Sequence, residues 1–264
     1  MIPLIARSFG RTSRPLLAIA FVLCAFQLAI VATASSIAGD GSNGGLARLV
    51  PAFLQPSLGL ALLSFAGMTT IGYFDAIIVM IVVVFAIHLA AEPAGDVEAG
   101  LVDLLLARSL PRAWIVTRSL AVMLASIVGL VLVMSAALWV GLSWLAPAQA
   151  NWPELRVVGK MGAHLMLVAC GFGAWSLAAS AWARRRGTAV AVVAIVGVAL
   201  YLLDFVGGLW RPAGRLAAIS PFHYFHGGEI LSGTANTTQD VVVLASIALA
   251  GSAVAYWRFA RRDL

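Results

Sequence analysis

The chain has 264 residues, of which 62% are hydrophobic and 11% charged, with a formal net charge of +6. Soluble domains are about 45–50% apolar and about 25% charged, and a soluble core of this length has too little interior to hide the excess. The composition therefore excludes a soluble globular enzyme and leaves the bilayer as solvent for most of the surface.

The basic residues sit in short clusters at the ends of apolar runs, so the positive charge points to anionic headgroups as partners and not to nucleic acid. Residues 1–14 carry Arg7, Arg11 and Arg14 among Ile2, Leu4, Ile5 and Phe9, which predicts a short amphipathic segment on the inner membrane surface. The first apolar run covers about 15–34. Ala32-Thr33-Ala34 is a candidate cleavage site, but the run is longer than a signal core of about 7–15 residues, so a retained span is expected. Residues 35–56 are rich in Gly, Ser and Pro and read as a loop.

Residues 57–91 stay apolar for too long to form one untilted span, and Gly67, Thr69, Thr70, Gly72 and Asp75 interrupt them. The reading is an interfacial or re-entrant helix over 53–68 and a second span over 71–91. Four further spans follow at about 114–145, 161–182, 188–208 and 240–259. The expected fold is an all-α integral membrane protein, a single transmembrane domain over 1–264 with about six spans.

With both termini inside, the inner segments hold Arg7, Arg11, Arg14, Arg108, Arg112, Arg118, Arg184, Arg185, Arg186, Arg258, Arg261 and Arg262, which is 12 of the 17 Lys and Arg residues. The outer segments hold only Arg48, Arg156, Lys160, Arg211 and Arg215. The positive-inside rule then places both termini in the cytoplasm. Trp144, Trp152, Trp182 and Trp257 lie near span ends, as interfacial anchors do. Cys24 and Cys170 fall within apolar runs and read as packing residues.

The stretch 92–118 lies between spans two and three and holds four of the eleven acids, Glu92, Asp96, Glu98 and Asp103. Leu101, Leu104, Leu105 and Leu110 recur at helical spacing. Pro93 can start a helix and Pro111 can stop one. The expectation is a short acid-fronted amphipathic helix on the cytoplasmic face. An ordinary solvated connector is the competing reading.

The run Glu98-x-Gly100, Leu104-Leu105, Ser109-x-Pro111-Arg112 and Ile115-Val116-x-Arg118 resembles the cytoplasmic loop of ABC-2 type transporter permeases. That family usually has Thr where this chain has Leu101, and often Lys where it has Arg118. Ile219-Ser220-Pro221-Phe222-His223-Tyr224 is similar to a second family segment, between spans five and six. The resemblance implies a permease subunit of an ATP-binding-cassette transporter, in a bacterial plasma or inner membrane. It implies export by alternating access, and a partnership with a second permease copy or a sister permease. The 92–118 loop would be a coupling helix on a separate ATPase subunit, with Glu92, Glu98, Gly100, Leu101, Leu104, Leu105, Pro111 and Arg112 at that contact. The chain has no G-x-x-x-x-G-K-[ST] loop, so ATP and Mg would sit on the partner and this chain would bind no cofactor of its own.

Asp75 and Asp204 lie near the outer ends of spans two and five, where ionisable groups are costly and often functional, so both are candidates for a substrate pathway. His88 and His164 read as histidines packed between helices, and Ser135 and Ser176 as packing hydroxyls. His223-x-x-His226-x-x-Glu229 has ligand spacing for one helical face, but the neighbouring Pro and Gly argue against a regular helix there, so no metal site is expected. Gly171, Gly173, Ala174, Ala178 and Ala179 in span four favour close packing in the bundle core. Two other function classes stay open: a membrane-embedded enzyme acting on lipid or peptide, and a non-transporting anchor subunit.

A reporter active only in the cytoplasm should work when fused after Leu264 and stay silent when inserted at 146–154. The reverse pattern in whole cells would overturn the orientation.

Overall fold

The computed structural model describes residues 2–39, 64–100, 113–183 and 185–261. Among them, all regular structure is helical. Six helical stretches are long and apolar enough to cross a membrane: Thr12–Ala38, Phe65–Ala90, Ala113–Leu145, Leu155–Ser180, Arg186–Leu209 and Thr237–Arg261. Over the described residues the chain is thus all-helical, with the six spans of a multi-pass membrane protein that the apolar runs predict.

The first span belongs to α1 (Ile2–Gly39), which passes through Pro15 without ending. The amphipathic segment expected over 1–14 is therefore not a separate element: residues 2–14 form the first turns of the same helix. One proline removes one helical hydrogen bond, whereas ending the helix in apolar surroundings leaves several backbone groups without partners.

The second span corrects the expected boundary. Helix α2 (Phe65–Thr70) runs into a 3₁₀ turn at Ile71–Tyr73, and α3 (Ala76–Ala90) resumes after Asp75. Residues 65–68 therefore belong to the second crossing; 53–63, the rest of the expected interfacial helix, lie outside the described residues. Where the helix changes geometry, its polar groups find partners nearby. Gln27 of α1 donates from Nε2 to the Thr69 carbonyl at 2.8 Å, and the Thr69 and Thr70 hydroxyls donate to carbonyls one turn back. A side chain at Gly72 would collide with Gln27, so glycine there lets α1 approach.

A short helix α4 (Glu92–Glu98) follows, then α5 (Ala113–Leu145), α6 (Leu155–Ser180) and α7 (Arg186–Leu209). Two short helices, α8 (Arg211–Ala217) and α9 (Gly227–Ser232), flank a 3₁₀ turn at Pro221–Tyr224 before α10 (Thr237–Arg261). The middle of α6 is 67% buried, against 17% for the middles of α1, α7 and α10, so α6 is the central post. It is also the least apolar spanning helix. Small residues explain this. Gly171, Gly173, Ala174 and Ala178 are buried and Ala179 half-buried, and they let neighbouring helices close in. A Cβ on Gly173 would run into Met123 of α5 and approach the Ala86 carbonyl of α3. In return, Gly251 of α10 lies so close that its Cβ would sit 3.0 Å from the Ala174 backbone.

The spans alternate in direction. Tyr256, late in α10, bonds Thr117, early in α5, at 2.8 Å. Arg186, the first residue of α7, donates to the carbonyl of His88 at the end of α3. Pro15 of α1 and His88 line one groove. The start of α1 and the end of α10 therefore lie at the end of the bundle that carries α4, the termini end. The connections 146–154 and 210–236 lie at the opposite end.

Gly251→Val should separate α10 from α6 at a cost of about 1–3 kcal/mol, read as a lower unfolding temperature in detergent. Gly129→Ala has open space around its Cβ and should leave that temperature unchanged or raise it.

Candidate functional site

At the termini end, α4 is fastened to the spanning bundle on two sides. Pro93 occupies its first turn, where no helical N–H is needed. The sequence predicts one acid-fronted helix between Pro93 and Pro111; the described helix covers only Glu92–Glu98 and ends before the leucines, and two of its acids turn inward. Arg118 of α5, 7% exposed, donates from Nη2 to Asp96 Oδ2 at 2.6 Å, and Glu92 Oε1 lies 3.9 Å from the same nitrogen. Asp96 is itself only 5% exposed. The arrangement suits a buried cation, which must be paired and hydrogen-bonded to be tolerated.

The second fastening is Glu98, whose Oε2 accepts the backbone N–H of Arg186 at 3.1 Å. Arg186 opens α7, whose first N–H groups have no partner within the helix. Glu98 thus caps a spanning helix from another segment, with its charge at the positive end of that helix dipole. The Arg186 guanidinium reaches back to the His88 carbonyl at 2.8 Å, and its alkyl stem covers Gly95. In this way α4 is tied to α5 by Asp96 and Glu92, and to α7 by Glu98. Its last turn is open: Glu98, Ala99 and Gly100 are exposed, and Gly100 adopts φ +65°.

Of the residues expected at a partner contact, Glu92, Glu98 and Gly100 are therefore placed. Glu92 faces Arg118 and is largely covered, whereas Glu98 and Gly100 face outward. Leu101, Leu104, Leu105, Pro111 and Arg112 lie outside the described residues, as does Asp103. The topology anchor expected at 184–186 is partly structural, because Arg186 works inside the fold while Arg185 is exposed. Arg258 lies over the Trp182 ring at 5.4 Å and Arg261 over the Trp257 ring at 4.8 Å, forming a basic and aromatic rim.

At the opposite end, Asp75 caps α3. Its Oδ1 accepts the N–H groups of Ile77 and Ile78 at 3.0 and 3.2 Å, an ordinary N-cap at the restart of a broken helix. Asp204 of α7 instead faces the connector before α10, where its Oδ1 lies 3.2 Å from His223 Nδ1. Both carboxylates lie within electrostatic range of the Tyr201 hydroxyl, so the two residues expected on a substrate pathway share one end of the bundle.

Among the histidines, His164 is fully buried. It donates from Nδ1 to the Lys160 carbonyl at 2.7 Å and stacks on Phe225, the packed role expected of it. His88 departs from that expectation: it is exposed at the rim of the α1–α3 groove. Ser135 bonds the Tyr73 hydroxyl at 2.8 Å and Ser176 donates to the Ile87 carbonyl at 2.8 Å, so both hydroxyls join helices. The connector does break between His223 and His226, as its Pro and Gly residues predict, with a 3₁₀ turn giving way to α9.

The chain matches no family model, no curated protein and no solved structure.

Arg118→Ala leaves the Asp96 carboxylate buried without its partner. It should cost about 3–5 kcal/mol of stability, measured by denaturation in detergent. Asp96→Ala combined with Arg118→Ala should cost less than Arg118→Ala alone.

Proposed function

We propose that this chain is the membrane-spanning permease subunit of an ATP-driven transporter, and that α4 with the residues after it receives force from a separate ATPase subunit. The observation that carries this reading is the double fastening of α4. A short helix lies between spans two and three with an open last turn, and its carboxylates are tied to α5 and α7. A push on such a helix is passed to two spanning helices through charge-assisted hydrogen bonds, which are short and directional. A solvated connector has no need of a buried ion pair.

In this reading both termini and α4 face the cytoplasm, in agreement with the bias of basic residues. Glu98 and Gly100 stand at the edge of the partner contact, and the leucines at 101, 104 and 105 supply its apolar part. The resemblance to ABC-2 type permeases supplies the rest of the proposal. Two permeases, identical or sister chains, pair in the membrane, and ATP with Mg binds the ATPase. Closure of the ATPase pair rocks the helix bundles and alternates access. Export of a hydrophobic or amphipathic cargo follows from the resemblance to a family made up mostly of exporters.

The test is co-purification of this chain from its own cells with a P-loop ATPase, followed by Glu98→Ala and Leu105→Asp. Leu105→Asp should abolish assembly. Glu98→Ala should weaken assembly or leave ATP hydrolysis uncoupled from cargo movement in proteoliposomes. Intact assembly and coupled turnover in both variants would overturn the proposal.

A further inference from the structure

We infer that Asp204, His223 and His226 form a binding site for a divalent first-row transition-metal ion of the Zn2+ class, at the end of the bundle opposite the termini. One ligand atom from each of the three lies within 4.8 Å of the others. The residues come from two separate segments, the last turns of α7 and the connector before α10, and the fold brings them together. The third ligand is Asp204, from another helix, and not the Glu229 that sequence spacing offers.

The sequence Phe222-His223-Tyr224-Phe225-His226 explains how the site is held. Two aromatic residues three apart turn inward and pin the segment. Phe222 stacks on Phe172 with ring centroids 5.2 Å apart and meets Tyr201 edge-on at 5.4 Å, while Phe225 stacks on His164 at 6.2 Å. Buried Ser220 fixes the start of the turn by accepting the Phe222 N–H at 3.2 Å. With the phenylalanines held, the two histidines, also three apart, stand beside each other with ring centroids 5.4 Å apart. Asp204 meets them from α7. The backbone under the ligands is thus held by core packing, which is what a preorganised site requires.

The donor set selects the ion. Two imidazole nitrogens and one carboxylate oxygen suit Zn2+ and its neighbours, whereas Ca2+ and Mg2+ take all-oxygen shells. Zn–N and Zn–O bonds of about 2.0–2.2 Å place tetrahedral donors about 3.4 Å apart. Asp204 and His223 already stand at 3.2 Å, and His226 is exposed, so its ring has room to turn inward. Three protein ligands leave a fourth position for water or for a donor group on a passing molecule. Asp240 lies within electrostatic range of His223, His226 and Glu229, so further carboxylates favour a cation nearby. The side chains of His223 and Asp204 are 39% and 19% exposed, which gives an ion access from water. A bound ion would cross-link the end of α7 to the connector. Such a site would bind its ion whether or not the chain is a transporter.

The test uses the full chain in detergent micelles, purified without a histidine tag and stripped with a chelator. Calorimetric titration with Zn2+ should show one saturable site per chain, and Mg2+ should give none at the same concentrations. Co2+ should give the intense visible absorption of a four-coordinate nitrogen and oxygen site. Asp204→Asn and His223→Gln should each weaken Zn2+ binding by at least about tenfold. His226→Gln, at an exposed position, should do the same without disturbing the fold and decides the matter if either other variant fails to fold. Absence of a saturable site in the unaltered chain, or equal Zn2+ affinity in the folded variants, would overturn the assignment.

Discussion

The structure depends on how closely helices can approach α6. In a bilayer, apolar side chains gain little by leaving lipid for protein, so helices associate through packing and hydrogen bonds. Glycine at 171, 173 and 251 removes the atoms that would hold α3, α5 and α10 away from that central post. Close approach then allows hydroxyls such as Ser176 to reach the Ile87 carbonyl on the neighbouring helix. It also explains why α6 tolerates a more polar composition than its neighbours. The helices α1, α7 and α10 sit at the rim, with Phe21, Ile195 and Leu249 turned outward.

The two ends of this bundle solve different problems. At the termini end, a buried arginine is neutralised by acids from a short helix, and another acid caps the next spanning helix. At the opposite end, Asp75 repairs a helix break, whereas Asp204 reaches across to an aromatic-pinned turn. The charged residues are therefore divided between those buried in holding helices together and those that stay open to water. Asp96 and Arg118 belong to the first kind. Glu98 stands between the two, since it caps α7 and remains exposed.

The spanning helices are legible in the sequence because apolar runs of about 20 residues have few other uses. The runs at 114–145 and 188–208 agree with α5 and α7 to within about two residues at either end. The second span is harder to read, because Gly67, Thr69, Thr70 and Gly72 look like a chain interruption. Only Gln27, 42 positions before Thr69, shows how those groups are accommodated inside a crossing. The site residues are legible as types more than as partners. Arg118 reads as one more inner-face cation until Asp96 is placed beside it. Asp204 and His223 stand 19 positions apart across a helix end, and no periodicity links them. The alternation of Phe and His at 222–226 is plain in the sequence, but which of those rings turns inward depends on Phe172, Tyr201 and His164 in other helices.

Helix α1 has 38 residues and α5 has 33. At about 1.5 Å per residue these rods measure about 57 and about 50 Å, against a hydrocarbon layer of about 30 Å. The two lie against each other, with Gly141 of α5 meeting Leu28 and Val31 of α1. They must accommodate the surplus together, by leaning or by projecting beyond the lipid. Such a pair makes the protein sensitive to bilayer thickness: a thicker membrane stands it upright, and a thinner one tilts it or pushes its ends into water.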